Sequence, residues 1–290
     1  MSFDNAYESL IEGGEEKHWA FGTGFTDALA GVDREIPDVD RDDLAAYCLM
    51  LGDDALVYAQ RLAEWCSRAP ELEEDVALAN IALDLLGQAR MLLTRAGEIQ
   101  GTDEDTLAYL RDAAEFRNVR LAEIDCGPGP GGDFGTTIAR LLVFSTWRLA
   151  LLDALTGSAD PVLAAVAAKG VKEVAYHRDH AAQWALRLAG GTEFSRSRMI
   201  AGLDKVWPLT DELFTPHPVE LRLAGVAVDP STLRSEVDSV LDTVLGAADL
   251  ARPDVPQSPG AGRDGVHTDE LGPLLAEMQQ VARALPGAVW

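Results

Sequence analysis

Lysine is nearly absent from this chain. Of 24 basic residues in 290, only Lys17, Lys169, Lys172 and Lys205 are lysines, and 48 acids bring the formal charge to -24. A phosphate backbone needs a basic surface, so nucleic acid is not an expected partner. The acids are spread along the chain rather than gathered in a tail. Such a surface suits a high-salt cytoplasm, and a GC-rich genome also favours arginine over lysine; both explanations stay open. Cysteine is scarce as well. Cys48, Cys66 and Cys126 have no metal-binding spacing, and their odd number argues against a disulfide framework, so they are expected as buried small hydrophobes. No apolar run of membrane-spanning length is expected, and the amino end has no basic stretch followed by an apolar one, which makes the cytoplasm the expected location. Alternation of period two is missing too, so no half-buried strand is predicted.

What remains is helical pattern. Residues 1–40 mix glycines with aromatics such as Trp19, Phe21 and Phe25 without sustained periodicity, and read as a partly ordered N-terminal extension. From Asp40, an N-cap followed by Asp42 and Asp43, apolar positions Leu44, Cys48, Leu51, Ala55, Ala59, Leu62 and Cys66 recur at steps of three and four. That first helix is predicted to end near Pro70. A second, over 71–98, carries Leu72, Val76, Ala79, Leu83 and Leu86 on its expected core stripe, with Gly101 beyond its end. The short link makes the two antiparallel neighbours.

A shorter helix after Thr102 gives way to the CGPGPGG run of 126–132, which cannot be helical. A third long helix is expected over 134–155, and Asp160-Pro161 opens a fourth that Gly190-Gly191 stops. Two helical hairpins joined by a longer crossing segment give an all-α, ferritin-like bundle over 41–290. Additional C-terminal helices are expected around 197–214, after Asp229-Pro230, and over 268–285.

Bundles of this kind hold two metal ions between one carboxylate on each of two helices and a Glu-x-x-His pair on each of the others. The stretch 76–93 is where one such pair belongs, and it offers Asp84 with Gly87 in the histidine slot. Glu64 is the acid of the first helix. The third helix has no acid on its inner stripe, where Ser145 stands. On the fourth, His177 is preceded three residues earlier by Val174, and Glu173 lies four residues before it. Glu64, Asp84, Gly87, Val174 and His177 are therefore read as vestigial di-metal positions filled by internal polar contacts, with no metal, catalytic or cofactor site in the chain. An autonomous metalloprotein built on the Glu173/His177 pair is the alternative, since an i, i+4 pair can also ligate.

Longer blocks carry a resemblance. LGDDALVYAQRLAEWCSRAPELEEDVALANIALDLLGQAR (51–90), GDFGTTIARLLVFSTW (132–147), KGVKEVAYH (169–177), AVDPSTLR (227–234), HTDELGPLLAEMQ (267–279) and the closing LPGAVW resemble the C-subunit family of bacterial phenylacetyl-CoA epoxidases. The resemblance spans about 42–290. It implies a ferritin-like structural subunit of a monooxygenase complex for phenylacetate degradation. In that family the di-iron centre and the acyl-CoA site belong to the catalytic A subunit, NADPH supplies electrons through a reductase subunit, and a further small subunit joins the hetero-oligomer. This chain itself is then expected to be non-catalytic, without membrane or nucleic-acid partners.

Overall fold

The computed structural model describes residues 29–129 and 132–286. Ten α-helices and several 3-10 turns make up the described residues, without a strand. Most of the expected extension over 1–40 lies outside them. Residues 1–31 and 32–290 separate as two compact units. Of the first, the turn at 29–31 is described.

Within the second unit the bundle begins with α1 (Arg41–Ala63), capped by the Asp40 carboxylate, which accepts from the Asp43 amide. It is followed by α2 (Leu72–Gln100), stopped by Gly101 at φ 77°, a left-handed conformation that glycine reaches without steric cost. The short helices α3 (Glu104–Tyr109) and α4 (Arg120–Glu123) cross to the second hairpin. There α5 (Phe134–Leu155) and α6 (Pro161–Gly190) start at Asp133 and Asp160, whose side chains accept from amides three residues on. α1 packs on α2, α5 on α6, and α2 on α6, closing a ferritin-like four-helix bundle. Then come α7 (Glu193–Val206), α8 (Pro218–Arg222), α9 (Arg234–Ala247) and α10 (Leu271–Ala284). α7 and α9 cover α5, while α10 rests on α1 and α3.

The core is dense with large side chains. Trp147, Phe144 and Tyr58 are buried together, with the Tyr58 and Phe144 rings 4.4 Å apart in an edge-on arrangement.

Four expectations need correction. α1 ends seven residues before Pro70, and the turn that follows includes Ser67 at φ 64°, whose amide is held by Asp75. Cys66 therefore leaves the apolar stripe and is exposed, whereas Cys48 and Cys126 are buried. The α2 stripe expected in the core faces outward: Leu72, Val76, Leu83 and Leu86 are exposed, and Leu78, Ile81, Leu85, Ala89 and Leu92 are the buried face. Among the described residues α2 is also long and apolar enough to cross a membrane by length and composition, contrary to the expectation that no run would be; 44% of its most apolar window is buried in the chain.

Candidate functional site

α1 carries two adjacent acids, Asp53 and Asp54, both with fully buried carboxylates. A buried carboxylate is tolerated only when paired and hydrogen-bonded. Arg111 grips both oxygens of Asp53, at 2.5 and 3.0 Å, and the Arg117 amide donates to it at 2.8 Å. Burial still pushes the Asp53 carboxyl above its ordinary range, against the pull of Arg111. Arg263, from the segment before α10, donates to both oxygens of Asp54 at 3.0 and 2.9 Å, and to the carbonyls of Met50 and Arg117. The same segment is pinned by His267, whose ring nitrogens lie 2.7 Å from Glu123 Oε2 and 3.0 Å from the Phe116 carbonyl.

A second polar group runs through the bundle centre, and it touches all four helices. Arg148 of α5 is fully buried; its Nε donates to Gln88 Oε1 of α2 at 3.0 Å, and both Nη atoms lie 3.4 Å from the Leu51 carbonyl of α1. Burial draws its pKa down to about 10, which still leaves it charged at neutral pH. Gln88 Nε2 in turn donates to Glu173 Oε2 of α6 at 3.0 Å, and Lys169 Nζ lies 3.3 Å from the other oxygen of Glu173. Gly170 leaves the room this needs, since a Cβ there would crowd Leu152 and the Gln88 amide. One turn along α6, His177 Nε2 meets Asp84 Oδ2 of α2 at 3.0 Å. Burial holds the His177 pKa below its ordinary value, although Asp84 pulls the other way.

Of the residues singled out from the sequence, Asp84 and His177 are thus brought together. Glu173 and His177, four apart on α6, are drawn to different partners. Glu64 caps the end of α1 and bonds Arg61 Nη1 at 2.7 Å, against Gly127 of the glycine-rich break. Val174 is buried, Ser145 is spent on the Leu141 carbonyl at 2.6 Å, and Gly87 opens to space with nothing within 4 Å of where a Cβ would stand. Sequence reasoning missed Asp53, Asp54, Arg148, Arg263 and the His267–Glu123 contact. One signal was available: Arg140 and Arg148 are the only charged residues in the stretch 134–152, the greater part of α5.

The donor set does not fit a carboxylate-bridged di-metal centre. Such a centre needs four carboxylates and two imidazoles converging. Here a guanidinium that stays protonated joins α5 to α1 and α2, Gln88 carries the link on to α6, and among the described residues no three His, Cys, Asp or Glu side chains are placed to share an ion.

Fold and site together define a ferritin-like helical bundle whose centre is spanned by protein polar groups. Its relatives say more. The chain belongs to the family of phenylacetic acid catabolic proteins, whose profile matches residues 30–290. Over 252 residues, 86% of its length, it is also 46% identical to the C subunit of the 1,2-phenylacetyl-CoA epoxidase of Escherichia coli (strain K12), which is matched along its whole length.

Proposed function

We propose that this chain is the non-catalytic structural subunit of a multicomponent phenylacetyl-CoA 1,2-epoxidase acting in the cytoplasm. In this reading it pairs with and stabilises a catalytic subunit that holds the di-iron centre. That partner performs the oxygen insertion, with electrons from NADPH delivered through a reductase subunit, and a further small subunit joins the complex. The observation that carries the reading is the Leu51–Arg148–Gln88–Glu173 chain of hydrogen bonds, which puts a fixed positive charge between the helices that would have to gather around two cations. Like charge there repels a metal ion, and the amide of Gln88 cannot replace a bridging carboxylate.

Metal analysis of the purified chain, beside its co-expression with the catalytic subunit, tests this. The expected result is no stoichiometric iron or manganese in the isolated chain and a stable hetero-oligomer on co-expression. Two iron atoms per chain, lost on replacing Glu173 and His177, would overturn it in favour of an autonomous metalloprotein.

A further inference from the structure

Between α9 and α10 the chain crosses the bundle as a strap. Residues 258–270 contain no α-helix, and they are tied to Arg120 and Glu123 of α4 and to Asp54 of α1. Ala261 and Val266 close a turn at the centre of the strap, where the Val266 amide donates to the Ala261 carbonyl at 3.1 Å. The turn is pressed against the backbone beneath it. A Cβ on Gly262 would collide with the Asn118 carbonyl, and one on Gly265, already at φ 79°, would collide with that of Ala114. Two histidines grip the ends of this turn.

They do so with different numbers of protons. His217, the N-cap of α8, accepts the Val219 amide at Nδ1 and meets Asp264 Oδ1 with Nε2, each at 3.2 Å. One ring nitrogen accepts and the other donates, so a neutral ring satisfies both contacts. Glu220 and Asp43 are the other acids near this ring. His267 instead faces acceptors on both sides. Its Nε2 lies 3.0 Å from the Phe116 carbonyl, which can only accept, and its Nδ1 lies 2.7 Å from Glu123 Oε2. The two contacts together need one proton more than a neutral ring and a carboxylate carry, whether that proton sits on the ring or on Glu123. The pair is sealed, with the Glu123 side chain fully buried and that of His267 6% exposed. Glu123 also accepts from the Asn118 side chain and from the backbone amide of Thr268, the next residue of the strap. The charges that face His267 are Glu123 of α4 and Asp53 of α1, the latter gripped by Arg111; on the strap itself Arg263 is spent on Asp54. Removing the shared proton sets two lone pairs face to face and leaves a buried carboxylate without its counter-charge.

We propose that the 258–270 strap is a proton-dependent latch, closed while His267 and Glu123 share a proton and loosened at its 265–270 end when that proton leaves. The acceptors around His267 outweigh its burial and hold its pKa above 6.5. The latch is therefore fully closed below 6.5 and opens as pH rises through the higher folded value. Arg263 stays charged over this range and keeps both oxygens of Asp54, so the 261–264 part of the turn remains seated while the following residues lift. The device lies within one chain and needs no partner subunit.

Backbone hydrogen exchange of the full chain, corrected for the intrinsic effect of pH on amide exchange, reads the strap directly. Between about pH 6 and about pH 9, protection of the Thr268 amide and its neighbours is expected to fall about three- to tenfold, with α1 and α5 unchanged. In His267→Gln the protection is expected to be low at both values and to show no fall. His217→Gln is expected to keep the fall, because that ring grips the turn in its neutral form. No fall in the wild type, a fall that survives in His267→Gln, or a fall of equal size throughout the bundle would each overturn the proposal. Should His267→Gln not fold, NMR titration of the wild-type histidine rings decides. The His267 ring is expected to titrate above 6.5, over the range in which the strap loses protection; titration below 6.5 overturns the latch.

Discussion

Two polar regions built from similar residues behave differently in this molecule. On the α1 side, Asp53 and Asp54 are sealed, each oxygen is held by arginine, and Arg263 ties the segment before α10 onto the bundle. On the α2/α6 side, His177 is buried but the Asp84 side chain that faces it is 38% exposed, next to a glycine with open space around it. The same kind of contact, a carboxylate with a nitrogen base, is a lock in one place and a half-covered surface in the other. Solvent makes the difference, since an ion pair held in a dry interior resists being broken and one at the surface is screened.

Removing one partner from the sealed side should have the largest effect. Asp54→Ala strands the Arg263 guanidinium in the interior and is expected to cost about 3–5 kcal/mol of stability, read from denaturant unfolding. Asp84→Ala should cost less than about 1 kcal/mol in the isolated chain, because water already reaches that carboxylate. Equal losses at the two sites would erase the distinction drawn between them. Gly87→Ala should raise the stability of the isolated chain by about 0.5–1 kcal/mol, visible as a higher melting temperature, since helix propensity improves and no contact is disturbed. A loss of stability there would mean that the chain itself needs the glycine.

The smallest expected effects are in pH dependence, and they run in opposite directions. Burial works against charge on His267, but the hydrogen bond and charge of Glu123 outweigh it and hold the pKa above the ordinary 6.5. Folding thus favours the protonated ring, and the stabilisation is present below 6.5 and lost as pH rises through the higher folded value. At His177 burial prevails and the pKa falls below 6.5, so its contribution is present above that value and lost as pH drops through the lower folded value. Unfolding titrations should therefore show the gap between wild type and His267→Gln closing toward alkaline pH, and the gap for His177→Gln closing toward acid. Parallel trends would show that the two environments do not differ as described.

Much of the fold is readable in the chain itself. The cap at Asp40, the stop at Gly101 and the Asp160-Pro161 and Gly190 pair mark the start of α1, the end of α2 and both ends of α6, because each acts on neighbouring amides and carbonyls. The candidate site is less readable. Asp84 and His177 stand out, and they do meet; the arginines do not, because Asp54 and Arg263 are 209 residues apart and nothing local marks them as partners. Periodicity puts the α2 row on the wrong side for a physical reason. That helix has two apolar faces, one with Leu78, Ile81 and Leu85 and one with Leu72, Val76 and Leu83, and periodicity gives the angle of a stripe without saying which stripe is covered.

The sequence by itself determined the helical class, the starts of the long helices and the pairing of each hairpin, all of which follow from contacts a few residues long. Only the tertiary structure decided that Arg148 and Gln88 together bridge the four helices, that Asp53 and Asp54 are locked by arginines, and that the outer row of α2 is exposed. Those are matters of which surfaces meet through space, where charge and apolar area act on whatever the fold brings near.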